Sequence, residues 1–119
     1  LCGICATPPN KEIHKTALGA SQVVHWEYFK TTENALKKLQ KNQFEIIAIE
    51  QTKESVPLNE FSTTSNKLAL IFGNEVKGIS QNIINMTQSC VEINQYGIKK
   101  SMNVSVAAGI VLWSMANSI

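Results

Sequence analysis

Two short loops in this sequence set polar groups among glycines, each directly after an apolar run. One is Gly73-Asn74-Glu75-Val76-Lys77-Gly78; the other covers residues 94–101 and leads into Met102 and Asn103. Glycine allows a tight turn or a close backbone approach to a ligand. Glu75 offers a carboxylate. Lys77, Lys99 and Lys100 offer point charges for phosphate, without the bidentate fork of arginine. The first loop is neither a P-loop nor a dinucleotide fingerprint, because Gly-Lys-Ser/Thr and Gly-x-Gly-x-x-Gly are both missing. Taken alone, it reads equally as a turn and helix entry. Ser101 and Asn103 read equally as caps of the helix that follows.

The other candidates for chemistry are weaker. Cys2-x-x-Cys5 has redox or half-zinc spacing, but it sits in a strand-like run that sends its two members to opposite faces. With Cys90, the chain has three cysteines and no second pair. This predicts buried strand cysteines, no disulfide framework and no metal. His14 and His25 are isolated and receive no catalytic role. Trp26, Tyr28 and Phe29 cluster, and they read as core aromatics, with base stacking as the alternative. Lys37, Lys38 and Lys41 read as the solvated side of a helix.

The elements that must position the two loops alternate between strand and helix. Residues 1–6 read as a short strand, 11–18 as a weak helix stopping at Gly19, and 23–29 as strand or extended chain. Residues 32–41 form an amphipathic helix, with Thr32 as cap and Leu36 and Leu39 on one face. The runs Ile46-Ile47-Ala48-Ile49 and Leu68-Ala69-Leu70-Ile71 are apolar throughout, as strands buried on both faces of a parallel sheet are. Residues 54–66 read as a polar loop, 80–86 as a short helix capped by Ser80, and 90–93 as a strand. Residues 103–117 read as an apolar helix with Ser105, Ala108 and Gly109 among its small residues. The pattern predicts an α/β domain around a mostly parallel sheet flanked by helices. In such sheets ligands bind beyond the carboxyl ends of the strands, where both loops lie.

In order, LIFGNEVKGIS, a short helix, VEI, a loop and SMNVSVAAGIVLW resemble the SpoU/TrmH branch of the SPOUT RNA methyltransferases. Those proteins carry one motif close to FGNExxGxS, here residues 72–80, and another close to IPxxGxxxSLNVSVAxGI, here residues 93–110. The opening LCGICATPPNKEIHKTALGA is also similar to small members, so the resemblance covers essentially the whole chain. It implies a C-terminal trefoil knot, which runs against the general rule that chains do not knot. It also implies S-adenosyl-L-methionine as cofactor and a ribose 2′-hydroxyl of tRNA or rRNA as methyl acceptor. Gly73, Ile93 and Met102 would meet the adenine and ribose. Leu70, Ile71, Phe72, Asn74, Gln95 and Gly97 would line the remainder. Glu75, Ser101 and Asn103 would organise the reaction pocket, and Lys77, Lys99 and Lys100 would contact RNA. The resemblance further implies a homodimer through the C-terminal helix.

Two departures stand out. Asn94 replaces the usual proline, and Met102 the usual leucine. A further motif of that family, with an asparagine and an activating arginine, has no counterpart: all eleven basic residues are lysine. The chain opens on Leu1 inside an apolar segment, which predicts a single domain over residues 1–119 with further sequence upstream. If that arginine is truly absent, the alternative is a non-catalytic RNA-binding module on the same fold. A third reading is an α/β domain binding some other nucleotide.

The totals bound these readings. A chain of 119 residues, 44% hydrophobic and 17% charged, suits one globular core. Its net charge of +2 is far from that of a basic tail. No apolar run reaches the roughly 18–20 residues of a membrane helix, and the opening lacks a basic signal-peptide region. A cytoplasmic protein is the expectation.

Overall fold

The computed structural model describes residues 1–117, which fall into two compact units, Leu1–Lys38 and Leu39–Ile119. In the first unit, α1 (Lys11–Ala17) starts because Asn10 Oδ1 accepts the amides of Glu12 and Ile13 at 2.9 and 3.2 Å. These are donors that a helix start otherwise leaves unsatisfied. It ends at Leu18, whose φ of 50° is left-handed. A second short helix, α2 (Ala20–Val23), follows. The helix α3 (Thr32–Lys41) has the expected bounds. Its cap is one residue earlier than expected, since Thr31 Oγ1 accepts the Asn34 amide at 3.3 Å. Ala35 and Leu36 are its buried residues.

Three expectations for this unit fail. Residues 1–6 and 23–29 form no strand; they meet in a single parallel bridge between Cys2 and Phe29. Two backbone hydrogen bonds, from the Gly3 amide to Phe29 and from the Phe29 amide to Leu1, join them, and the Leu1 ammonium adds a bond to the Glu27 carbonyl. Apolar residues without a continuing ladder do not make a strand. With no strand to bury them, Cys2 is half-buried and Cys5 exposed, and both are free. The aromatics are not core either: Trp26 is 39% and Tyr28 49% exposed, and only Phe29 is half-buried.

The second unit holds β1 (Glu45–Ile49), β2 (Val56–Pro57), β3 (Leu68–Phe72), α4 (Gln81–Ile84), β4 (Ser89–Glu92) and α5 (Val104–Asn117). The strands form one sheet in the order β2-β4-β1-β3, and every pairing is parallel. This is the expected α/β sheet. Ile46, Ile47 and Ala48 are fully buried at its centre, and burial of each isoleucine contributes roughly 1.5–3 kcal/mol. The strand β2 was not expected. It pairs only with β4 and so lies at an edge, where Pro57's missing N–H costs nothing. Ser80 does precede α4, but its side chain makes no capping bond; its carbonyl accepts from Ile83 and Ile84 instead.

One stripe of α5, Ala107, Val111 and Met115, is buried, and Val111 and Met115 pack with Ile47 and Val91 of the sheet. Apolar residues also cover its other faces: Val106, Ile110, Leu112 and Trp113 are exposed, Trp113 by 73%. A helix that is apolar all round is normally covered on more than one side. Among the described residues no helix is long and apolar enough to cross a membrane.

Candidate functional site

The connection β3–α4–β4 crosses β1, so the carboxyl ends of β3, β1 and β4 open side by side. A cleft of about 1190 Å³ lies at these ends, where parallel sheets bind ligands.

The β3 end is shaped by backbone crowding. A Cβ on Gly73 would stand 2.4 Å from the carbonyl carbon of Gly78 and 2.7 Å from the Ile79 nitrogen. Only glycine lets the loop fold back this closely. Asn74 Oδ1 accepts the amides of Val76 and Lys77 at 2.9 and 3.1 Å, and the Gly78 amide returns to the Asn74 carbonyl at 2.8 Å. This is an asparagine turn, in which the side chain stands in for backbone. Gly78 closes it at a φ of +65°. The turn uses the acceptor of Asn74 and presents Glu75 and Lys77, both exposed, at its tip.

The β1 end contributes a residue the sequence reasoning missed. Glu50 follows β1 directly and is half-buried. Its Oε2 accepts the Ile79 amide at 3.0 Å, and its Oε1 the Gln51 amide at 3.0 Å. A Cβ on Gly78 would strike that same Oε2 at 2.5 Å. Glu50 thus ties the β3 loop to the end of β1. A signal existed: the carboxyl-end rule applies to every strand, and Glu50 is the first polar residue after the Ile46–Ile49 run.

At the β4 end, Gln95 Nε2 donates to the Lys100 carbonyl at 3.3 Å and closes the loop. Tyr96, Gly97, Ile98 and Lys99 stand exposed between them. Asn103 then starts α5. Its Oδ1 accepts the Ser105 amide at 2.8 Å and the Ser105 hydroxyl at 2.5 Å, and its carbonyl accepts the Ala107 amide.

Of the residues singled out in the sequence, Phe72, Gly73, Asn74, Glu75, Lys77, Ile93, Gln95, Lys100, Ser101 and Met102 line this cleft. The remaining five, Leu70, Ile71, Gly97, Lys99 and Asn103, do not line it. Leu70 packs against the core cluster, and Asn103 serves as helix cap. Four carboxylates, Glu50, Glu54, Glu75 and Glu92, share the lining with Lys53, Lys77 and Lys100. This mixed field accepts a small ligand that carries both charges. Among the described residues, no group of three His, Cys, Asp or Glu is placed to hold a metal.

Comparison with known proteins places the chain in a family. The SpoU rRNA Methylase family matches residues 2–113. A tRNA (guanosine(18)-2′-O)-methyltransferase from Borreliella burgdorferi is 33% identical over 82% of this chain and 44% of that protein. One of the same description from Aquifex aeolicus is 37% identical over 80% of this chain and 46% of that protein. The chain therefore spans less than half the length of these relatives. Among solved structures, the A. aeolicus TrmH/SpoU tRNA modifying enzyme superposes with a TM-score of 0.75 at 32% identity, over 85% of this chain and 51% of that one. An AdoMet-bound rRNA methyltransferase from Sinorhizobium meliloti shares the fold, with a TM-score of 0.86 at 23% identity over 96% of this chain and 43% of that one. The chain belongs to the SpoU rRNA Methylase family.

Proposed function

We propose that this chain is the cofactor-binding part of an S-adenosylmethionine-dependent methyltransferase acting on a ribose 2′-hydroxyl of tRNA or rRNA. The observation that carries this reading is the meeting of the Gly73 loop, Ile93 and Ser101-Met102 in one cleft. Relatives described as tRNA 2′-O-methyltransferases support it. The residues fit the cofactor. Glycine and exposed loop backbone suit close contact with an adenosyl group, and lining carboxylates suit a cationic sulfur. Bound there, S-adenosylmethionine would supply a methyl group activated by the positive charge on its sulfur.

In this reading Gly73, Ile93 and Met102 hold the adenine and ribose through backbone. Phe72, Asn74 and Gln95 complete the surroundings, while Leu70, Ile71 and Gly97 stand outside the lining. Glu75 and Ser101 face the reacting groups. Asn103 acts by fixing the start of α5, its Oδ1 being already engaged with Ser105. Lys77, Lys99 and Lys100 hold phosphates, which position RNA without reading its sequence. The 2′-hydroxyl is a weak nucleophile, so its proton must be accepted as the new bond forms. No arginine stands among the 119 residues to take that part. The trefoil knot and a homodimer through the exposed apolar face of α5 belong to the same proposal, as does action in the cytoplasm.

The absence of arginine favours one second reading, an RNA-binding module without catalysis. Transfer of a labelled methyl group by the full-length protein decides between them. Methylation at the 2′-oxygen makes the adjacent phosphodiester resistant to alkali, because its neighbouring hydroxyl is gone. Alkali-resistant label supports the enzyme. RNA binding with no label leaves the module.

A further inference from the structure

The charge of the chain is not shared between its two units. Residues 1–38 hold five lysines and three glutamates; residues 39–119 hold six of each. The whole excess of +2 therefore lies in the first unit. The same unit contains a groove of about 550 Å³, lined among others by Pro8, Pro9, Lys11, His14 and Trp26. That volume falls within the roughly 300–1,000 Å³ of small-ligand sites. Trp26 keeps 39% of its surface exposed despite lining the groove. Tyr28 is fixed nearby in sequence by a 2.9 Å bond from its hydroxyl to the Gly3 carbonyl.

We infer that this groove is a nucleobase subsite for single-stranded RNA, in which a base stacks on Trp26 while Lys11 meets a backbone phosphate. The inference rests on the RNA substrate class proposed above and adds a contact that shares no residue with the cleft at the strand ends. The chemistry selects the occupant. An indole face and proline rings stack any base, at about 1–3 kcal/mol per base. The net positive charge of this unit favours a polyanion. A single strand fits better than a duplex, because its unstacked bases are free to enter a groove.

The test uses the intact chain and a short single-stranded RNA oligonucleotide, read by tryptophan fluorescence and by affinity. The chain has two tryptophans, Trp26 and Trp113. RNA is expected to quench the wild-type signal in a saturable way, and Trp26→Phe to lose that quench while keeping most of the affinity. Trp26→Ala should bind RNA roughly 5- to 150-fold more weakly, the span of 1–3 kcal/mol. Its S-adenosylmethionine binding should equal that of the wild type. Heparin, a polyanion without bases, should give no quench. An equal quench by heparin would overturn the base subsite, leaving a site for charge alone. Wild-type RNA affinity in Trp26→Ala, or no RNA binding by the chain, would also overturn it. Trp26-dependent RNA binding by a chain that binds no S-adenosylmethionine would support the groove and sink the methyltransferase reading.

Discussion

The two units use apolar residues in opposite ways. In the second, Ile46, Ile47, Ala48 and Val91 are fully buried in a parallel sheet, and Val111 and Met115 pack with Ile47 and Val91. In the first, α1 and α2 bury nothing, and Ile4, Leu18, Val23 and Trp26 are all exposed. The first unit carries the excess charge and the second carries none. A site that must hold a small ligand in fixed geometry gains from the unit with the buried sheet, where strands position the loops. A surface that grips a flexible polyanion gains from the unit with exposed rings and net positive charge.

Mutations at matched positions sharpen this contrast. Ile47→Ala should cost about 2–5 kcal/mol, while Ile4→Ala should stay within about 0.5 kcal/mol. Urea denaturation measures both, and equal costs would erase the distinction. Gly73→Ala should cost about 1–3 kcal/mol, because its Cβ can be seated only by displacing Gly78. It should also weaken S-adenosylmethionine binding in calorimetry more than that loss of stability explains; normal binding would mean that the tight turn does not shape the site.

Removing Glu50 leaves the Ile79 amide without its acceptor. Glu50→Ala should therefore lower stability by about 1–2 kcal/mol and raise amide exchange across residues 73–79. Unchanged exchange there would show that Glu50 does not brace the loop. Asn103→Ala should cost about 1 kcal/mol through loss of the cap, and Asn103→Asp should recover most of it. A stable but inactive Asn103→Asp protein would give the side chain a direct part in the reaction pocket.

The smallest effect belongs to Glu27. A hydrogen bond from Lys38, then its charge, lowers the Glu27 pKa below the usual carboxylate value. Such a group contributes stability above its unfolded-state pKa and loses that contribution as pH falls through the lower folded value. Glu27→Gln should slightly flatten the acid limb of the stability profile. Because the pair is exposed, high salt should have the same effect. An acid limb identical in the variant would show the pair to be energetically silent.

Where the fold was legible in sequence, burial was the reason. The runs 46–49 and 68–71 are apolar at every position and both are strands, but only the first is buried at its centre; 68–71 forms the edge strand β3 and stays half-buried. In α3 the Leu36 spacing and charged outer side leave little choice. Residues 1–6 and 23–29 are apolar too, but strand formation depends on a partner, and only Cys2 and Phe29 pair. The β2 edge strand was illegible because two residues around a proline carry no pattern. Within the site, the glycine loop and Ser101-Met102 were legible from their place after strands. Glu50 had the same signal, its place after a strand, but its contact with Ile79, 29 residues along the chain, had none. The capping reading of Asn103 followed from its residue type, and the structure bears it out.

The central claim is that the ends of β1, β3 and β4 form a site for an adenosyl methyl donor. Calorimetric titration of this chain with S-adenosylmethionine, with S-adenosylhomocysteine and NAD alongside, tests it most directly. The account predicts that both adenosyl ligands bind, that NAD does not, and that Gly73→Ala weakens the binding. A folded chain, also tested at full length, that binds neither adenosyl ligand would contradict it.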